Sequence, residues 1–279
     1  MESSVFGSTD GRGKELAADT ILGFASYGED LYAAFSSSDK AISYCVYDLK
    51  LGNIGIHKGW SDPYLTGAYG HSPSLIEYRG SLYMVYSKDN GEIWWAKYDR
   101  GWTHGKALRG GGAYTSDRVG LAIFLNKIWL IARGVGGDQN LWWSTFDGNE
   151  WSTYSKMGAS SSHGPALATF RGELHIVASG GGDDHRIWHY CLNPLLGRRS
   201  RPLNHVFTAG APSLAIFGES LHCAAVGMEK TIWHMSYSDG GWSVYKQTQL
   251  RSQRGPSLSA YRDKLSNRDD MLLCYDPRM

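Results

Sequence analysis

Apolar residues in this chain come in short runs that alternate with polar ones and stop at Gly, Asp, Asn or Ser; no stretch holds the three-and-four spacing of a long helix. The pattern predicts strands and tight turns throughout, and it repeats. Residues 72–102 (SPSLIEYRGSLYMVYSKDNGEIWWAKYDRGW), 119–151, 164–192 and 211–242 share one template: apolar strand, tight turn, second strand, polar loop, aromatic third strand, and a closing turn in which Trp recurs. A fainter copy starts at Ile21 and a truncated one at Gly255. The copies therefore begin near 21, 72, 119, 164, 211 and 255, a period of about 47 residues, the length of a four-stranded propeller blade. The last copy runs out at Met279, and residues 1–20 supply the missing length, with Ser3–Gly11 imitating the third strand and turn at Met235–Gly240. The expected fold is all-β: a six-bladed β-propeller of four-stranded antiparallel blades, one domain over 1–279, its last blade closed by the N-terminal segment so that no sheet edge stays open.

Composition sharpens this picture. The chain holds 35 Gly, 11 Trp and 17 Tyr against 8 Pro, the aromatics and turn formers of a β protein. Its net charge is +1, which predicts no basic surface for nucleic acid or anionic membrane. No apolar segment follows the N-terminus and no run of about 18 apolar residues occurs, so the expected protein is cytoplasmic with no membrane span. Cys45, Cys191, Cys223 and Cys274 sit singly in β-like runs and read as small buried hydrophobes. Phosphate-loop, zinc-protease and nucleophile-elbow motifs are missing, and Asp183-Asp184-His185, three neighbours pointing different ways, make a poor metal site. No metal and no cofactor is expected.

The repeated residues read as framework. Pro73, Pro165, Pro212 and Pro256 open first strands, where a missing N–H costs no ladder bond. Trp94, Trp95, Trp142, Trp143, Trp188 and Trp233 alternate faces and pack between blades. The Asp- and Gly-rich turns before Trp102, Trp151 and Trp242 resemble the Asp-box turns of sialidase-type propellers, a structural feature.

Chemistry is expected where the copies differ. The loops entering the first strands read Tyr69-Gly70-His71, Ser116-Asp117-Arg118, Ser161-Ser162-His163, Phe207-Thr208-Ala209 and Ser252-Gln253-Arg254, and a propeller brings such loops to one mouth of its channel. His71 or His163 would exchange protons near neutral pH, and Arg118 or Arg254 would hold an anionic oxygen.

The repeat resembles the lectin-like β-propellers, among them the six-bladed fungal fucose-binding lectins. That resemblance implies a glycan partner, with multivalent pockets between blades that combine aromatics with an Arg/Glu pair. Here the aromatics recur, while the loop positions beside them read Asn90, Gln139, His185 and Glu229. In size and in its divergent blades the chain also resembles the fungal hetero-Diels–Alderases, which join a tropolone o-quinone methide to a humulene-type sesquiterpene. This second resemblance implies a cofactor-independent enzyme with one aromatic-lined pocket and a small aromatic or terpenoid substrate, positioned for reaction. In that reading His71 or His163 moves protons, Arg118 and Arg254 bind the tropolone oxygens with Gln253 and Thr208, and Tyr69, Trp60, Tyr114, Asp117 and Phe207 line the site. The single-pocket enzyme is the leading expectation, the lectin its alternative, and a protein-interaction propeller the third.

Overall fold

A computed structural model of the chain describes residues 5–6, 23–48, 60–263 and 268–275. A two-residue strand β1 (Val5–Phe6) precedes blade 1, which is β2 (Gly23–Tyr27), β3 (Asp30–Ser36), β4 (Ala41–Asp48) and β5 (Tyr64–Tyr69). Blade 2 is β6 (His71–Tyr78), β7 (Ser81–Ser87), β8 (Ile93–Tyr98) and β9 (Lys106–Ala107), followed by a single 3-10 turn at Leu108–Gly110. Blade 3 is β10 (Gly120–Phe124), β11 (Lys127–Arg133), β12 (Asn140–Phe146) and β13 (Ser155–Ser160). Blade 4 is β14 (Ala166–Phe170), β15 (Glu173–Ser179), β16 (Arg186–Asn193) and the long β17 (Gly197–Phe207). Blade 5 is β18 (Ser213–Phe217), β19 (Ser220–Val226) and β20 (Thr231–Ser238), against which both β21 (Gly241–Trp242) and β22 (Lys246–Arg251) pair. The chain ends in β23 (Ser257–Asp263) and β24 (Arg268–Cys274).

The all-β propeller expected from the repeat is present, with two corrections. Among the described residues five blades are complete, and the sixth place holds a three-stranded sheet, β1–β24–β23, instead of a four-stranded antiparallel blade. In it β1 runs parallel to β24, Val5 opposite Leu273, whereas a blade-closing strand is antiparallel; the rest of segment 1–20 lies outside the described residues. Inner strands β2, β6, β10, β14, β18 and β23 touch in that order, and β23 touches β2 in turn.

Period-two alternation sends each strand's side chains to two seams. On β7, Leu82, Met84 and Tyr86 pack into the seam between blades 1 and 2, while Tyr83 and Val85 pack into the seam between blades 2 and 3. Packing is tight where inner strands meet: a Cβ on Gly23 would collide with the Pro73 carbonyl. Pro165, Pro212 and Pro256 stand just before β14, β18 and β23, and Pro73 sits inside β6 at a register shift between His71 and Ser74. Cys45, Cys223 and Cys274 are free thiols in seam cores. Among the described residues no helix is long and apolar enough to cross a membrane.

Candidate functional site

The loops at the channel mouth are held by a repeated pin. Thr115, Ser161, Thr208 and Ser252 are buried, and each hydroxyl donates to the carbonyl two residues on (Asp117, His163, Gly210, Arg254; 2.6–2.9 Å) and accepts that residue's N–H. Such a hydroxyl stands in for ladder bonds where the chain turns into an inner strand. Thr208 Oγ1 also lies 3.0 Å from Val226 O, a second acceptor for its one proton, and the residue is fully buried, so a place in a substrate pocket is corrected to this structural one.

Arg118 crosses the channel instead of facing an open funnel. Its guanidinium donates to Pro256 O and Ala211 O at 3.1 Å, to Ser257 Oγ at 3.3 Å and to Pro212 O, which ties blade 3 to blade 5 and the sixth sheet. The cavity left between the inner strands is about 120 Å³, well below the size of a drug-like ligand site. Burial lowers the Arg118 pKa, and Asp117 works against that shift. Asp117 accepts the N–H groups of Arg118 and Gly164 and lies 3.7 Å from His163 Nδ1. Burial raises its pKa, but His163 and these bonds outweigh burial and hold it below the usual carboxylate range. His71 Nε2 meets Asp89 at 2.8 Å, and Lys40 reaches the other oxygen of that carboxylate at 2.9 Å. Arg254 and Gln253 are exposed in the loop before β23. Trp60 is corrected outright: it is 5 % exposed and packs on Phe24 and Tyr47 in a core cluster. Tyr69 is exposed and offers its carbonyl to Lys88, and Tyr114 offers its own to Tyr154.

The third-strand Trp residues fall into register as Trp94, Trp142, Trp188 and Trp233, each diagonally beside the last residue of its blade's second strand. Four residues before them stand Asn90, Asp138, Asp184 and Glu229, so the loop alignment through Gln139 and His185 was off by one. Asn90, Asp138 and Asp184 each accept the N–H two residues on. The indole N–H groups of Trp94, Trp142 and Trp188 donate at 2.8 Å to Glu92, Asp138 and Asp184, so these three are committed within their own blades. Arg186 and then the Trp188 bond hold the Asp184 carboxyl down to about 2.

A second recurrence is a pair of facing rings on the second and third strands: Tyr32/Tyr44, Tyr83/Trp95, Trp129/Trp143, His175/His189 and His222/His234. Blades 4 and 5 thus use imidazoles where the others use larger aromatics. In blade 4 Trp242 Nε1 donates to His189 Nδ1 at 3.2 Å, and His189 Nε2 lies 2.9 Å from His175 Nδ1. An indole N–H only donates, so neutral His189 carries its proton on Nε2 and gives it to His175, which carries its own on Nε2 toward Glu173. Burial, then His175 and Arg201, lowers the His189 pKa to about 3. Trp102 and Trp151, facing carbon rings, have buried N–H groups without a partner among the described residues.

Donor atoms of Glu173, His175 and Cys191 lie within 4.8 Å of one another, a set with the chemistry of a thiophilic divalent ion. Arg199, however, bonds Glu173 at 2.6 Å and sits 3.6 Å from Cys191 Sγ, and the nitrogen of His175 facing the cluster is the protonated one. Burial and then Glu173 push the Cys191 thiol up to about 11. The cluster is a hydrogen-bonded network, and Cys191 is more than a small hydrophobe.

Among the described residues a large cavity lies between blades 4 and 5. It is an open groove of about 780 Å³ walled by Phe207, Trp233, Trp242 and Tyr245, with Leu203, Val206 and Met235 on its floor and Arg201, Glu229 and Ser243 as its polar side chains. Tyr245 stacks on Trp233 at 5.0 Å, and its hydroxyl is buried with no partner among the described residues. Of the residues expected to form a site, Phe207 alone lines this groove; His71, His163, Arg118 and Arg254 do not. The groove was missed because it depends on the course of β17, which no motif marks.

No family model and no curated protein matches the chain. Solved structures do. AofleA from Arthrobotrys oligospora is 15 % identical with a TM-score of 0.62, over 91 % of this chain and 79 % of that one. SapL1 lectin, solved with alpha methyl fucoside, is 13 % identical with a TM-score of 0.63, over 88 % and 86 %. The Aleuria aurantia lectin, described as a six-bladed β-propeller, is 14 % identical with a TM-score of 0.61, over 82 % and 78 %. At such identities the likeness shows the propeller fold that this chain shares with fungal lectins.

Proposed function

We propose that this chain is a carbohydrate-binding propeller, with α-fucosides as its ligand class and the groove between blades 4 and 5 as its principal site. The observation that carries the reading is the groove's lining: aromatic faces of Trp233, Trp242, Tyr245 and Phe207 beside one guanidinium, Arg201, and one carboxylate, Glu229. A sugar presents a C–H face for an aromatic wall and hydroxyls for charged groups that fix its orientation. Fucose adds a methyl group to the apolar side. The lectins of similar fold support this ligand class by analogy. Six equivalent sites are not part of the proposal, because the matching indoles of blades 2, 3 and 4 are bonded to their own carboxylates.

Calorimetric titration with methyl α-fucoside tests the reading. The expected result is one site per chain, lost in both Glu229→Gln and Arg201→Ala; several equivalent sites, or binding untouched by both changes, would overturn it. A second reading, cycloaddition of a quinone methide with a terpenoid alkene, draws on the groove's apolar floor of Leu203, Val206 and Met235. Since none of the four residues expected to do chemistry lines the groove, catalysis there would be positional. Turnover of such a pair that persists in His71→Ala/His163→Ala and stops when the groove is blocked would favour it.

A further inference from the structure

Three large apolar side chains stand around this groove in water: Phe207 is 47 %, Met228 53 % and Val244 80 % exposed. At the matching places around the seam between blades 2 and 3 stand Tyr114, 37 % exposed, Val135, 41 % exposed, and Thr153, which is bonded to Arg109 at 2.6 Å, so apolar exposure is greater around the groove and differs in kind at Val244. The groove offers few polar side chains for its size, Arg201 and Glu229 being the charged ones. A hydrophilic oligosaccharide laid along it would press hydroxyls against Leu203, Val206 and Met228 without partners, which is unfavourable. A volume of about 780 Å³ is also in the range of drug-sized ligands and more than one pyranose ring fills.

We infer that the natural ligand is a glycoside carrying an apolar aglycone: the sugar lies against Arg201, Glu229 and the rings of Trp233, Trp242 and Tyr245, and the aglycone covers Phe207, Met228 and Val244. This rests on the carbohydrate reading and names the part of the ligand that the reading leaves open. Burying a methylene is worth roughly a fourfold gain in affinity, so a short alkyl chain adds an order of magnitude even when only part of it is covered.

The test compares methyl and hexyl α-fucoside by calorimetry on the full chain and on Met228→Ser/Val244→Ser. The expected result is hexyl fucoside binding at least tenfold tighter than methyl fucoside, with that ratio falling toward one in the double variant. Circular dichroism and the melting temperature establish that the variant is folded. Equal affinities in the unaltered chain would overturn the aglycone inference and leave the sugar reading standing. Binding of neither fucoside would overturn both, and binding of hexanol as tightly as hexyl fucoside would remove the sugar from the account.

Discussion

Tyr154 and Tyr245 occupy the same place in blades 3 and 5, each stacked on its blade's Trp with rings 14° and 15° from parallel, and their surroundings end differently. In the seam between blades 2 and 3, the 3-10 turn at Leu108–Gly110 folds Leu108 fully inside, and Tyr154 donates to Tyr114 O at 3.1 Å. In the seam between blades 4 and 5, the outer chain is the eleven-residue strand β17 with no such turn, and the Tyr245 hydroxyl is buried beside the open groove without a partner among the described residues. The same aromatic framework is thus a closed core in one seam and a ligand-sized groove in the other. The difference lies in the neighbouring strand's path.

Removing the bolt that crosses the channel from blade 3 to blade 5 and the sixth sheet should have the largest effect. Arg118→Ala strands several buried carbonyls in the channel, and a loss on the order of 3 kcal/mol is expected in urea unfolding; a midpoint unchanged within error would mean that the guanidinium ties nothing together. Acid comes next, and it separates the seams. Burial holds the folded His189 down to about 3 and His234 down to about 4, and lowers His175 and His222 as well, whereas all four titrate near the ordinary histidine value when unfolded, so the unfolded chain binds more protons as pH falls. Stability is therefore full above about pH 6.5 and declines below it, by roughly 1.4 kcal/mol per pH unit for each imidazole held neutral, the decline persisting until pH nears the His189 value. Grafting the blade 2 rings, as His175→Tyr/His189→Trp, should reduce the slope between pH 6 and 4.5 and leave the share of His222 and His234; an unaltered slope would place the acid sensitivity elsewhere. Smallest and most specific is the hydroxyl comparison. Tyr154→Phe should cost about 1 kcal/mol, while Tyr245→Phe should be neutral or slightly stabilising, because it removes a buried group with no partner. Equal losses in thermal melts would show that the two seams are alike.

The blades were legible because Trp and Gly punctuate the chain at a steady period, and alternation on strands such as β7 follows from it directly. Register in the loops was not, because Gln139 and His185 look aligned until positions are counted back from Trp142 and Trp188. The mouth loops share one physical device: Thr115, Ser161, Thr208 and Ser252 make the same backbone bonds, while their neighbours vary and read as chemistry. Arg118 looked like an anion hold and instead spends its donors on carbonyls across the axis. Trp60 looked like a wall and is core. The groove itself depends on whether the outer chain curls, as at Leu108, or runs straight, as in β17, and the residue pattern encodes that choice weakly.

The central claim is that Trp233 lines a ligand groove while Trp94, Trp142 and Trp188 are bonded to carboxylates of their own blades. Titrating methyl α-fucoside while following the indole N–H resonances tests it most directly. The account predicts that Trp233 shifts, with saturation at one ligand per chain, while Trp94, Trp142 and Trp188 stay fixed on their carboxylates. Joint movement of all four, or movement confined to those three, would contradict it.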